Sequence, residues 1–272
     1  MKHYETIIYE KKDSVATVTL NRPKYLNSLS RQLMSEVTDA MEVVRTDQDV
    51  KVVVVRGAGR GFCSGAYLDE VLPILKERSQ IIEMVRMYGK GIGSIRNCGK
   101  PSIAAIHGYC TAGGFEIMCN CDFAIATEDA KIGDFHMKRS LMAGAGAIPL
   151  LVRIIGLRKA KEILMSGRLM SGKEVYELGM LNRLAPAGKL DETLNEFLPL
   201  FTERTITGLT HVKFATESAM DADLDTANAV EALSCASLLA SRDAQEAVDA
   251  FLQNRDADFP PGIDWSLTHG RY

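Results

Sequence analysis

The chain has 272 residues, of which 46% are hydrophobic and 25% charged, and its formal net charge is −3. That length holds one large domain or a domain with a smaller appendage, and the charge gives no case for a nucleic acid or an anionic membrane surface as a partner. No apolar run approaches the ~18 residues that cross a bilayer, and the stretch Met1–Thr6 lacks the apolar segment of a secretory signal, so a cytoplasmic protein is expected.

From the N-terminus, Val15–Leu20 reads as a strand stopped by Asn21-Arg22-Pro23. Ser30 is placed to cap a helix whose apolar stripe is Leu33, Val37, Met41 and Val44. The run from Lys51 to Val55 predicts a strand buried on both faces. A glycine-rich loop, Gly57-Ala58-Gly59-Arg60-Gly61, follows, and Phe62–Glu70 leads into a helix carrying Val71, Leu72, Ile74 and Leu75. The pattern then predicts a helix over residues 79–96 and a strand over 101–108. Gly113-Gly114-Phe115-Glu116 opens a further helix, followed by strands at Asp122–Thr127 and Ala130–Phe135. From Ile148 onward the chain reads as mostly helical, apart from Asn182–Pro186. Asp243 and Glu246 have the spacing of a capping box ahead of Ala247, Val248, Phe251 and Leu252. Strands alternating with helices through the first two-thirds predict an α/β class, with the helical last third capping the domain or packing on another subunit.

Six cysteines raise the question of a metal or of disulfides. Cys119-Asn120-Cys121 is C-x-C, and no second Cys/His pair sits at zinc-ligand spacing, so no metal is expected. Cys63, Cys98, Cys110, Cys119, Cys121 and Cys235 read as buried, reduced, structural thiols.

Two loop-to-helix junctions carry glycine at the turn, Ser64-Gly65-Ala66 and Ala112-Gly113-Gly114. Unpaired N–H groups at a helix start carry partial positive charge, and adjacent glycines let a ligand atom approach the backbone. Brought together, the Ala66 and Gly113 N–H groups would hold one developing oxyanion, of the kind a thioester or ketone carbonyl generates. Two unrelated turns would carry the same composition. Glu116, just beyond the second turn, is placed to move protons, since a carboxylate is costly to bury without a purpose.

Taken in order, these segments are similar to a known family. Asn21-Arg22-Pro23, Asn27-Ser28-Leu29, Gly61–Ala66, Ile106-His107-Gly108-Tyr109, Gly113–Glu116, Cys121-Asp122, Ala130–Gly133, Arg153–Gly156, Gly167-Arg168 and Glu177-Leu178-Gly179 together resemble the crotonase (enoyl-CoA hydratase/isomerase) superfamily. The resemblance covers almost the whole chain. It implies a spiral of ββα units over residues 1–195 carrying an acyl-CoA site, and a helical oligomerisation region over 196–272 that builds a homotrimer or a dimer of trimers. It also implies an acyl-CoA substrate with its carbonyl between the Ala66 and Gly113 N–H groups, touched by Lys24, Ser64, Tyr67 and Gly114. No cofactor is expected beyond coenzyme A as part of the substrate. The 57–61 loop lacks the P-loop and Rossmann fingerprints, and the nucleotide end of coenzyme A would lie along Arg22 and Lys24, charges that a solvated surface explains equally well.

The chain also departs from the family. Hydratases resemble one another in carrying two glutamates; the first falls on Glu116, while His136 stands where the second would be. The turn that holds the acid in other branches, Leu141–Ala147, has no ionisable side chain. Tyr67 replaces the aspartate of the usual Gly-Ala-Asp, somewhat as in a coenzyme-A dehalogenase branch, but that branch needs a nucleophilic aspartate in the 141–147 turn and none is present. Asp134-Phe135-His136 is similar to a segment of the β-diketone hydrolases, which pair the histidine with an acid where Ala145 stands and add a histidine where Gly114 stands. A histidine with a near-neutral pKa can act as acid or base, and Asp134, sharing a strand face with His136, would orient the ring. A structural histidine between Phe135 and Met137 is the alternative. The expected activity is therefore hydratase or lyase chemistry on an enoyl-CoA, with Glu116, His136 and Asp134 as the catalytic set. C–C or thioester hydrolysis through His136, or an acyl-CoA-binding scaffold without turnover, are the other readings. The acyl pocket is expected between residues 70–96 and 136–143, with Met84, Met87, Met137 and Met142 as candidate lining or as ordinary core.

Overall fold

The computed structural model describes residues 3–259 and 262–263. Two strands, β1 (Ile7–Lys12) and β2 (Val15–Leu20), lead to helix α1 (Arg31–Thr46) and strand β3 (Val52–Gly57). Short α2 (Leu68–Val71) and long α3 (Arg78–Arg96) precede β4 (Ser102–Ile106), β5 (Tyr109–Thr111) and α4 (Gly113–Asn120). Next come β6 (Phe123–Thr127), β7 (Lys131–Gly133), α5 (Ala147–Ile155), α6 (Leu157–Ser166), β8 (Met170–Ser171), α7 (Gly172–Glu177) and β9 (Arg183–Ala185). Helices α8 (Leu190–Phe197), α9 (Pro199–Thr202), α10 (Ile206–Asp221), α11 (Leu224–Leu239) and α12 (Arg242–Leu252) follow.

The first sheet has the order β1-β2-β3-β4-β6-β9, with β1 and β2 antiparallel and every other pair parallel. The second sheet is β5-β7-β8. Each turn of the chain places one strand in the first sheet and the next in the second: β4 then β5, β6 then β7. The same happens after β3, where Cys63 forms a parallel bridge with Cys110 of β5. Helices follow each such pair, which is a spiral of ββα units.

Period-two alternation decides which face each β3 side chain serves. Val53 and Val55 join the core under α1 and α3, while Val52 and Val54 face a second core closed by Leu190, Leu194 and Phe197 of α8. Phe123, Phe197 and Phe201 stack there with ring centroids 4.6 to 5.8 Å apart. Helix α1 buries Leu33, Val37, Met41 and Val44, and Ser30 Oγ accepts from the Leu33 N–H at 3.2 Å. The expected stripe and cap are both present.

Several expectations need correction. β1 has no counterpart in the sequence reading; Ile7 is its only buried residue, so the strand carries no alternating signal. β8 is two residues long and equally silent. Helix α12 is capped by Ser241, whose Oγ accepts from the Ala244 N–H, while Asp243 lies inside the helix and Glu246 pairs with Arg255, so there is no Asp243–Glu246 capping box. Cys63, Cys98, Cys110 and Cys119 are buried free thiols and Cys121 is half-buried, but Cys235 is exposed. Burial raises the pKa of Cys63, Cys98, Cys110, Cys119 and Cys121, leaving them protonated and poor nucleophiles. Among the described residues, no helix is long and apolar enough to cross a membrane.

Lys100 is 1% exposed, and among the described residues its ammonium donates only to the Asp47 carbonyl, at 3.4 Å. Burial pulls its pKa down to about 8 from an ordinary 10.5. The folded state thus binds this proton more weakly than the unfolded chain, and the group's penalty fades as pH rises from about 8 to 10.5. Replacing Lys100 with Met is expected to raise stability by about 1–3 kcal/mol at pH 7, measured by urea unfolding, with the gain shrinking at pH 10.

Candidate active site

The first glycine turn is fixed from both sides. Residues 62–64 run beside β5, with Phe62 N donating to His107 O, Cys63 N to Tyr109 O and Thr111 N to Cys63 O, each at 2.9 Å. On the other side, Leu29 N donates to Gly65 O at 2.8 Å and Tyr67 N to Leu29 O at 2.9 Å. Asn27 secures the preceding loop, its amide donating to the carbonyls of Ala58, Gly61 and Phe62. Gly65 sits at φ 104, where a Cβ would meet Ala112 Cβ at 2.6 Å and Gly113 N at 3.2 Å. The two turns are therefore in contact. Ala112 itself holds φ 49 and ψ −117, a costly conformation for an L-residue, and its carbonyl accepts the Glu116 N–H. Ala66 and Gly113 line one cavity, and among the described residues neither N–H has a partner within the chain.

Gly113 and Gly114 are glycines for a reason the sequence did not suggest. A Cβ at Gly113 would meet Leu29 Cδ1 at 2.6 Å, and one at Gly114 would meet the Cys63 carbonyl oxygen at 2.3 Å. The protein, rather than a ligand, fills the space that the missing Cβ atoms leave.

Glu116 lies on the first turn of α4, 5% exposed. Its Oε1 accepts two backbone N–H groups, from Gly144 at 2.9 Å and Ala145 at 2.6 Å. Among the described residues Oε2 receives no protein donor. Asn120, one turn further along α4, ties the same loop down by donating to Glu116 O and Ala145 O. Burial raises the Glu116 pKa; the Ala145 and Gly144 amides and the nearby His136 oppose this without cancelling it. The 141–147 turn, read from sequence as lacking an acid, thus serves through its backbone. Gly146 at φ 94 is the signal that could have pointed to a tight turn there.

His136 opens a short 3₁₀ turn after β7. Its Nδ1 is 2.9 Å from Asp134 Oδ1, and since a carboxylate only accepts, Nδ1 carries a proton; among the described residues Nε2 has no protein partner. The pairing was expected from a shared strand face, but β7 ends at Gly133, and Phe135 at φ 56 turns the chain back so that the ring meets Asp134. Burial alone would depress the ring's pKa; the bond to Asp134 and the charges of Asp134 and Glu116 outweigh it, and the pKa lies above the usual histidine value. Asp134 is 2% exposed.

Glu116 and His136 line the cavity that holds Ala66 and Gly113, and Asp134 stands behind it. Met84 and Met142 also line it; Met87 borders a separate groove beside α1, and exposed Met137 lines neither. The other residues expected to touch the substrate do not line this cavity. Lys24 is exposed, Ser64 Oγ lies 3.4 Å from Tyr25 O, and Gly114 packs on Cys63. The Arg22 guanidinium packs against both Tyr67 and Tyr25, 4.4 and 4.8 Å from their ring centres, while the two rings meet edge to face at 5.2 Å, and Arg22 donates to Ser28 O at 2.6 Å.

This fold has many counterparts. The sequence model of the enoyl-CoA hydratase/isomerase family matches residues 10–261. A Mycobacterium tuberculosis protein named "Probable enoyl-CoA hydratase echA8" is 30% identical over 94% of this chain and 98% of its own length. The crotonyl-CoA hydratase of Syntrophomonas wolfei is 28% identical over 94% of this chain and 98% of that protein. Among solved structures, the enoyl-CoA hydratase of Bacillus anthracis superposes with a TM-score of 0.89 at 28% identity, over 94% of this chain and 99% of that one. The α/β spiral with its glycine-turn site thus defines a crotonase-fold protein. The chain belongs to the enoyl-CoA hydratase/isomerase family.

Gly114→Ala drives a Cβ onto backbone and is expected to cost about 3 kcal/mol or more, whereas at Gly113→Ala the Leu29 side chain can move aside. Urea unfolding of both variants checks this: the Gly114 variant is expected to be clearly the less stable of the two.

Proposed function

We propose that this protein adds water across the α,β double bond of an enoyl-CoA thioester, with Glu116 as base and the His136 imidazolium as acid. The observation that carries the reading is that one apolar cavity is lined by Ala66, Gly113, Glu116 and His136 together. The unpartnered Ala66 and Gly113 N–H groups are suited to the thioester oxygen, where negative charge grows as water attacks Cβ. Glu116 Oε2 takes the proton of the attacking water, while Oε1 is steadied by Gly144 and Ala145. His136 delivers its Nε2 proton to Cα, and Asp134, which accepts from Nδ1, orients the ring and stabilises its charged form. Hydration is redox-neutral: Glu116 gains the water proton, His136 gives one to Cα, and exchange with solvent returns both groups to their starting states, so the proposal includes no cofactor beyond the coenzyme A of the substrate. The names carried by similar proteins, hydratases and isomerases of enoyl-CoA, support the reaction class.

Lys24, Ser64 and Tyr67 are proposed to meet the coenzyme A portion outside the cavity. Residues 1–195 would carry the site and 196–272 the self-association of a trimer or a dimer of trimers, in a cytoplasmic enzyme. Exposed apolar side chains on α10 to α12, including Phe214, Leu224, Leu233 and Phe251, support self-association.

Loss of the enoyl-thioester absorbance is the assay, and release of free thiol without hydration would overturn the reading. Glu116→Gln is expected to lower kcat by about 10²–10⁴-fold. The active form has Glu116 ionised and His136 protonated, so kcat/KM should rise through a Glu116 pKa above the usual glutamate value and fall through a His136 pKa above the usual histidine value. In Asp134→Asn the carboxylate that raises the ring's pKa is gone, so the alkaline limb should move to lower pH. An unmoved limb would contradict His136 as the acid.

A further inference from the structure

Resting on the hydratase reading of this site, we infer that the substrate's acyl group is an unsubstituted, apolar chain of medium length, about six to eight carbons. The cavity holds about 240 Å³. At roughly 30 Å³ per water-sized group, it accepts about eight such groups; the thioester oxygen and the attacking water take two, which leaves room for about six carbons before the open rim is reached. A four-carbon enoyl group would leave part of it unfilled. Beyond the reacting carbons the walls are Val71, Leu75, Ile81, Met84, Val85 and Met142, supplied by α2, the link from α2 to α3, α3 itself and the loop after His136.

Apart from Glu116 and His136, Tyr88 is the one polar side chain lining the cavity among the described residues. Its hydroxyl donates to Leu29 O at 2.9 Å, and burial pushes its pKa up to about 12, so it stays protonated and occupied. An acyl group with a terminal hydroxyl or carboxylate would find no side-chain donor along these walls and would lose its hydration unrewarded. An alkyl chain gains from each methylene it buries, about 0.8 kcal/mol or fourfold in affinity. Leu75, Val85 and Met142 are partly open to solvent at the rim, 47%, 40% and 74% exposed, so chains longer than the cavity should gain little more.

The test measures kcat/KM for trans-2-enoyl-CoAs of four, six, eight and ten carbons and for an eight-carbon enoyl-CoA ending in a carboxylate, together with the affinities of butanoyl- and octanoyl-CoA, which need no turnover. The expected result is a rise of at least about tenfold from four to eight carbons, a plateau at ten, and a drop of about 100-fold or more for the terminal carboxylate. Val85→Trp, which narrows the cavity at a partly exposed position, should shift the eight-to-four-carbon ratio toward the shorter chain. Equal or better use of crotonyl-CoA, or ready acceptance of the carboxylate, overturns the inference while leaving the hydratase reading standing. Absence of any turnover, with octanoyl-CoA binding at least about tenfold tighter than butanoyl-CoA, overturns the hydratase reading and upholds the acyl class. Equal affinities overturn the acyl class whatever the turnover.

Discussion

A carboxylate removed from water must be met by donors, and the pair of backbone amides at Gly144 and Ala145 meets Glu116. Much of the site depends on this interaction. It fixes which oxygen is anchored and which is open to chemistry. It also draws the 141–147 turn across the mouth of the cavity, where Leu141 and Met142 become acyl-pocket walls. Asn120 reinforces it from the same helix, so the base and the loop that holds it move as one body.

The other half of the site is a replacement. Where hydratases of this fold resemble one another in using a second glutamate, this chain has His136 backed by Asp134. The exchange changes the electrostatics rather than the logic. Two carboxylates in one cavity repel each other unless a proton is shared between them, whereas a glutamate and an imidazolium attract. That attraction lowers the Glu116 pKa against the effect of burial and raises the His136 pKa with Asp134. An ionised Glu116 beside a protonated His136 is the charge state that the proposed hydration needs, a base for water and an acid for Cα.

Much of this was legible in the sequence, for physical reasons. Side chains with strong local rules, such as Ser30 at a helix start and the valines of β3, lay where they were expected. The two glycine turns and Glu116 were also readable, because a turn into a helix with a carboxylate on its first turn leaves a linear signature. The backbone donors of Gly144 and Ala145 were not, since every residue has an N–H and only the fold aims it. The need for glycine at Gly114 was misjudged as room for a ligand; it is room for the Cys63 carbonyl. The Asp134–His136 contact was anticipated, yet it forms through a backward turn at Phe135 and not along a strand. Strand β1 stayed hidden because an edge strand with one buried side chain shows no alternation.

The division of labour between Glu116 and His136 is the central claim, and exchange of the α-protons of a saturated acyl-CoA in deuterated water, followed by NMR, tests it most directly. Exchange needs the oxyanion hole and the group that serves Cα, but not the group that activates water. The account predicts that Glu116→Gln still exchanges these protons while failing to hydrate an enoyl-CoA, and that His136→Gln loses the exchange. Exchange that survives in His136→Gln and vanishes in Glu116→Gln would contradict it.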